Sequence, residues 1–166
     1  MTLRPATVED LAYILSVETP YKEMGFVGGD GIEVHRQRLA DPDCWYAIVE
    51  TETGSAGYAI LTGLASRNRS VELRRIAIAE PNRGLGRKAL AAIMKKAFDE
   101  FSVHRLWLTV FPDNTRAHHL YKSVGFVEEG TLRECIKRGD TYRSLIVMSV
   151  LDGEYRDRQL EAGPSD

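Results

Sequence analysis

Asn114-Thr115-Arg116-Ala117-His118-His119-Leu120-Tyr121-Lys122-Ser123-Val124-Gly125-Phe126 is the stretch that decides the fold. Ala117, Leu120, Tyr121 and Val124 fall at i, i+3, i+4 and i+7, one stripe of an α-helix. Asn114 and Tyr121 stand seven residues apart and share a helical face, separated along the axis by about 10 Å. A ligand held at one end of such a face can present a reactive terminus to the other. Gly125 ends the helix, and Phe126 opens the next strand. Taken alone, Tyr121 reads more readily as core than as a catalytic residue.

Upstream, Leu106 to Phe111 is a strand that Pro112 ends. Before it, Gly84 to Phe101 carries Leu90, Ile93, Met94, Ala97, Phe98 and Phe101 at helical spacing, and Val71 to Ala79 is a strand. Between that strand and that helix lies Arg83-Gly84-Leu85-Gly86-Arg87-Lys88-Ala89. A glycine turn that opens a helix leaves several backbone N–H groups aimed at one point. With the helix dipole they suit a phosphate. Glycine allows the close approach, and Arg83, Arg87 and Lys88 add positive charge. Gly84-x-Gly86-x-x-Ala89 also fits a dinucleotide fingerprint, which expects an acid about twenty residues on. The strand Leu106-Trp107-Leu108-Thr109-Val110 has none, and no second βαβ half exists. A Gly-Lys-Ser/Thr phosphate loop is absent too. A nucleotide-binding redox module is therefore disfavoured.

Downstream, Gly125 to Ile136 and Thr141 to Leu151 form a hairpin across Arg138-Gly139-Asp140, and a polar, frayed tail is expected from Asp152. At the other end, Leu3 to Ala6 is a short strand. Thr7 caps a helix with Leu11, Ile14 and Leu15 on one face. From Glu18 to Asp30 the periodicity fails, and Pro20, Gly25, Gly28 and Gly29 mark a loop. Ile32 to Ala40 is a weaker helix, and strands Trp45 to Thr51 and Gly57 to Leu64 follow. The order β-α-α-β-β-β-α-β-α-β-β describes an α+β (mixed α/β) fold with a single central mixed β-sheet flanked by helices. One domain over residues 1–152 and a tail over 153–166 are expected.

The bulk properties agree. The chain has 166 residues, 43% of them hydrophobic, enough for one real core. Its formal net charge of -2 gives no basic surface for nucleic acid. No apolar stretch approaches the roughly 20 residues of a membrane span, and no signal-peptide core follows Met1. Cys44 and Cys135 form no metal-ligand pair and read as two buried thiols in a reducing, cytoplasmic setting. His118 and His119, adjacent on one helix, point to different faces and do not make a shared metal site. No metal is expected. Thr141 to Leu151 is apolar enough to meet a partner or to lie inside the sheet, so a monomer or homodimer is expected.

The sequence of strand, glycine loop with long helix, strand and Asn/Tyr helix resembles the GNAT (Gcn5-related N-acetyltransferase) superfamily. Val71 to Val150 is similar to the branch with ribosomal-protein N-terminal acetyltransferases. The likeness runs through Glu72-Leu73-Arg74-Arg75-Ile76-Ala77-Ile78, the glycine loop, the Asn/Tyr helix and Gly125-Phe126-Val127-Glu128-Glu129-Gly130. The first 45 residues match only in layout, and that is where the amine-binding elements usually lie. The resemblance implies acetyl-CoA as acyl donor. It implies that the backbone of Ile76, Ala77 and Ile78 bonds the pantetheine arm like an added strand, beside a splay toward Leu106–Phe111. Arg83, Gly84, Leu85, Gly86, Arg87, Lys88 and Ala89 would hold the pyrophosphate, and Asn114 the pantetheine arm or an ordered water. Tyr121 would protonate the leaving thiolate. Two departures stand out. Pro81 occupies a position that is often Gln or Arg in the family, in a link about two residues shorter than usual. Thr109 stands where some protein N-terminal acetyltransferases of the family carry a glutamate base.

Amide formation needs a neutral amine. An alkyl amine with pKa ~10.4 is almost wholly charged at neutral pH, whereas an α-amine near 7.7–8.0 is not. Glu72 is the candidate general base, directly or through a water, although it could equally pair with Arg74 or Arg75. Neither cysteine has a recognisable His partner, so no covalent acyl-enzyme is expected. Glu18, Glu23, Asp30 and Glu33 could favour a cationic acceptor. The expected activity is transfer of an acetyl group from acetyl-CoA to a primary amine, which could be a small amine, a polyamine or a peptide N-terminus. A non-catalytic acyl-CoA sensor on the same fold is the alternative, against which Tyr121 argues.

Overall fold

A computed structural model describes residues 1–28, 30–81 and 84–162. Among them, seven strands form one mixed sheet: β1 (Thr2–Pro5), β2 (Cys44–Thr51), β3 (Gly54–Thr62), β4 (Ser70–Ile78), β5 (Arg105–Val110), β6 (Val127–Arg138) and β7 (Thr141–Leu151). Their order is β1-β2-β3-β4-β5-β7-β6. Every neighbouring pair is antiparallel except β4 and β5. Helices α1 (Leu11–Glu23), α2 (Ile32–Leu39), α3 (Leu85–Lys95), α4 (Thr115–Val124) and α5 (Asp152–Ala162) accompany it. α3 runs on as a π-helical stretch, Lys96–Glu100. β7 is interior, between β5 and β6, which explains its apolar composition without a partner.

The two parallel strands are where the sheet opens. β4 and β5 pair only from Ser70 to Glu72 against Arg105 to Trp107. Beyond that point β4 stays with β3 alone. An irregularity sits there too, because Ile60 pairs with Arg75 and Leu61 with Leu73, leaving Arg74 as the extra residue. A bulge of this kind bends its strand, and here it coincides with the parting of β4 from β5.

Each face of the sheet has its own core. On one, Leu73, Leu90, Ile93, Phe98, Leu108 and Met148 form a buried cluster beneath α3. On the other, Leu11, Ile14 and Val17 of α1 meet Tyr46, Ile48, Tyr58 and Ile60. The expected turn at Thr7 is present: its N–H donates to Asp10 Oδ2 at 2.8 Å.

Three expectations are corrected. α1 does not stop before Glu18 but continues through Pro20 to Glu23. Its buried face is Ile14, Val17, Glu18 and, half-buried, Tyr21, and one charged member of that stripe conceals the helical period. Residues 163–166 of the expected tail lie outside the described residues, but Asp152–Ala162 is not frayed, since it forms α5, which docks through Tyr155. That ring stacks on Phe98 with centroids 4.7 Å apart, and Arg156 pairs with Asp99 at 2.6 Å. One aromatic anchor in an otherwise polar run left no period to read. Cys135 is exposed rather than buried, while Cys44 is half-buried, because β6 is the outermost strand.

Candidate active site

The parting of β4 from β5 opens a cavity of ≈ 1160 Å³. That exceeds the usual range for one small-molecule site, roughly 300–1,000 Å³, and suits two substrates meeting end to end. One end lies between the starts of α3 and α4. Gly84 caps α3 with φ +71°, a left-handed conformation that disfavours other residues. Gly84, Gly86 and Arg87 line the cavity, so the amides that open α3 sit where a phosphate could reach them. Arg87 also donates to Ser123 O at 3.2 Å, tying α3 to α4. Lys88 is exposed, Leu85 is half-buried and Ala89 is packed in the core, so at Ala89 only the backbone could serve a ligand. Arg83 lies outside the described residues.

A Cβ added to Gly86 would meet Leu120 Cδ2 at 3.2 Å, the movable end of a side chain. Alanine should therefore be tolerated there. Gly86→Asp adds a carboxylate beside the amides and should weaken CoA affinity at least tenfold in calorimetry. Equal affinities for Gly86→Asp and Gly86→Ala would remove the loop from the site.

The free edge of β4 forms one wall. Backbone groups on an antiparallel ladder alternate in direction. Ala79 N–H donates to Ala56 O on β3, so Ala77, two residues away, faces β3 as well, and Ile76 and Ile78 face the opening. This corrects the expectation that three successive backbones serve the ligand: the polar groups of Ala77 are turned away. Those of Ile78 already have a partner that the sequence did not suggest. Tyr21 Oη donates to Ile78 O at 2.8 Å and accepts from Ile78 N–H at 3.2 Å. The hydroxyl thus occupies the ladder position an added strand would use.

α4 forms the opposite wall. Asn114 caps it, its Oδ1 accepting from Ala117 N–H at 3.2 Å. Asn114 and Tyr121 both line the cavity. Tyr121 packs against Phe126 with ring centroids 5.8 Å apart, and its hydroxyl bonds to no other described residue. Burial, and secondarily the neighbouring Tyr21, push that hydroxyl's pKa up to about 12. It therefore keeps its proton at any working pH.

Glu72 lines the cavity on the face that also carries Trp107 and Thr109. Its Oε2 accepts from Thr62 Oγ1 at 3.1 Å and lies 3.5 Å from Arg74 Nη1. The pairing with Arg74 is realised, and Glu72 is not a free carboxylate. Of Glu18, Glu23, Asp30 and Glu33, three are spoken for as well, and Glu23 alone has no partner among the described residues. Arg75 pairs with both Glu18 and Asp30, Arg38 holds Asp30 at 2.6 Å, and Glu33 pairs with Arg36. Glu18 is buried, and Tyr58 Oη and Arg75 both donate to its Oε1. His35, also buried, reaches its Oε2 at 3.3 Å and Tyr46 Oη at 3.2 Å. A carboxylate only accepts, so His35 Nε2 carries the proton toward Glu18. Nothing in the sequence points to this network, because Glu18 falls where the helical period fails. His118 pairs with Glu128 at 3.1 Å, and among the described residues no group of three His, Cys, Asp or Glu could hold a metal. No helix among them is long and apolar enough to cross a membrane.

The family model described as the acetyltransferase (GNAT) family matches residues 11–126. The spermidine N(1)-acetyltransferase of Escherichia coli (strain K12) is 26% identical over 161 residues, covering 92% of this chain and 87% of the relative. The one from Vibrio cholerae is 27% identical over 114 residues, 68% of this chain and 66% of the relative. The crystal structure of spermidine N-acetyltransferase from Vibrio cholerae in complex with CoA and spermine matches with a TM-score of 0.83 at 25% identity, over 93% of this chain and 97% of that one. These relatives are polyamine enzymes rather than ribosomal-protein ones.

Proposed function

This chain belongs to the acetyltransferase (GNAT) family and is an acyl-CoA N-acyltransferase, and we propose that it carries an acetyl group from acetyl-CoA to a primary amine by direct attack, with both substrates bound together. The observation that carries this reading is the Tyr121 hydroxyl, without a partner among the described residues, in the cavity where β4 leaves β5; its raised pKa keeps the proton on it. The amides that open α3 take the pyrophosphate. The open edge of β4 at Ile76 takes the pantetheine arm, which directs the thioester toward Tyr121. Asn114, at the start of α4, flanks that arm. An amine arriving from the face of Glu72 and Trp107 attacks the carbonyl, and Tyr121 gives its proton to the departing thiolate. Glu72 receives the amine's proton through a water. The polyamine relatives support an amine acceptor and put spermidine first among those to try.

The test is release of free thiol from acetyl-CoA against a panel of amines. Thiol should appear only with an amine present, one per amide formed. Thioester loss at the same rate without any amine would overturn amine transfer.

Tyr21 adds a separate expectation. If the pantetheine arm takes the amide and carbonyl of Ile78 as well, the Tyr21 hydroxyl must first leave them. Tyr21→Phe removes that competitor, and CoA affinity should rise about 3–10-fold, the worth of one hydrogen bond. A drop in affinity would mean that the hydroxyl holds the ligand instead.

A further inference from the structure

The charges that line the cavity are unevenly matched. Its acids among the described residues are Asp30, Glu72 and Asp113. All three are already paired with arginine: Asp30 with Arg38 and Arg75, Glu72 with Arg74, and Asp113 with Arg143 at 2.6 Å. Four lining cations have no acid partner among the described residues, Arg87, Arg116, Lys137 and Arg138, and the last two lie beyond the loop that opens α3. A polyamine entering the cavity would meet neutralised carboxylates and uncompensated positive charge.

Arg138 is also incompletely bonded. It closes β6, and its Nη2 donates weakly to Val27 O at 3.4 Å, in the loop that follows α1. Its Nε is buried and has no partner among the described residues. A buried guanidinium N–H without an acceptor is costly, and the Nε–Nη edge of arginine matches a carboxylate with two parallel hydrogen bonds. The hydroxyl of Tyr13, another lining residue, is likewise buried without a partner among the described residues. Around them the walls are apolar, with Met24, Phe26, Leu132 and Ile136.

We infer that the acceptor is an α-amine that also bears a carboxylate and an apolar body, in the manner of an apolar amino acid or short peptide, and that Arg138 receives the carboxylate. This rests on the acetyl-transfer reading and narrows its substrate. It also agrees with the weak provision for a base. The α-amine of a short peptide, near pKa 7.7–8.0, leaves a sizeable neutral fraction at working pH, so it asks less of an arginine-paired Glu72 than an alkyl amine would. The α-amine of a free amino acid, raised by its own carboxylate, gains less from this.

The experiment compares apolar amino acids and dipeptides with their C-terminal amides, and with spermidine, at saturating acetyl-CoA. The amide removes the negative charge and also lowers the α-amine pKa, which favours the amide, so a preference for the acid form is read against that bias. The acid forms should exceed their amides by about 10–100-fold in kcat/KM, the range for a hydrogen-bonded charge. Arg138→Gln should erase that gap. Arg138→Lys, which keeps the charge and loses the fork, should close it in part. CoA affinity of each variant, measured by calorimetry, checks that the fold holds. Amides or spermidine accepted as well as the acids, or an acid preference that survives both variants, would overturn the inference and leave acetyl transfer intact. An enzyme that binds CoA and accepts no amine of the panel would overturn the acetyl-transfer reading, and this one with it.

Discussion

Tyr121→Phe is expected to bind acetyl-CoA as the natural protein does and to turn over about 10²–10⁴ times more slowly, the usual loss for a missing proton-transfer group. The ring belongs to the packing between α4 and the sheet, 5.8 Å from Phe126 between centroids, and phenylalanine keeps that contact. The hydroxyl bonds to no other described residue, so its removal leaves no broken bond in the protein. Its elevated pKa of about 12 has a kinetic consequence. A group raised this far stays protonated through the range in which a thiol near 8.5 ionises. It can give its proton only as negative charge develops on sulfur, and it is not consumed by mild alkali. The kcat profile should therefore show no fall near pH 10 that belongs to Tyr121, and the variant should differ from the natural protein by a constant factor below that pH. Two numbers from one preparation settle the role: the dissociation constant for acetyl-CoA and kcat on an accepted amine. Unchanged kcat would remove Tyr121 from the chemistry. Lost binding would show that the side chain is structural.

What could be read without coordinates was whatever one element carries by itself. α4 announced itself because its stripe is apolar and its cap and stop are local, Asn114 and Gly125. The glycine loop was legible for the same reason. The site's roles came from family resemblance, since spacing alone leaves Tyr121 in the core. The unread parts are those whose meaning depends on distant partners. Arg138 meets Val27 across 111 positions, and Tyr21 meets Ile78 across 57. Glu18 breaks the apolar stripe of α1, and with Pro20 two residues on the segment reads as loop. Only the approach of β4 and α2 shows that the acid is part of the buried face. The acids of the first forty residues are of the same kind: Glu18, Asp30 and Glu33 meet arginines that spacing alone does not reveal.

Glu18→Gln is expected to cost stability more than any other single change of similar size. Glutamine keeps the volume and an acceptor, and removes the charge that faces Arg75, Tyr58 and His35. Breaking a buried ion pair on one side costs about 3–5 kcal/mol, because the remaining charge stays buried without its partner. Asp30 lies 3.3 Å from Arg75 and offsets part of this, so the lower end of that range applies. The midpoint of urea unfolding should fall accordingly with an unchanged slope. Acid sensitivity supplies an independent check. Desolvation alone would raise the Glu18 pKa, but hydrogen bonds from His35 and Tyr58 and the charge of Arg75 outweigh it and hold the carboxyl below its ordinary 4.5. A carboxyl depressed by folding contributes stability above its unfolded pKa, and that stability is lost as pH falls through the folded value. The natural protein should therefore lose stability on acidification from about pH 4.5 downward, and Glu18→Gln should lose less over the same interval, so that the two stability curves converge at low pH. Parallel curves would mean that Glu18 does not carry the charge the network implies, and a variant as stable as the natural protein at neutral pH would show that the buried ion pair contributes nothing net to the fold.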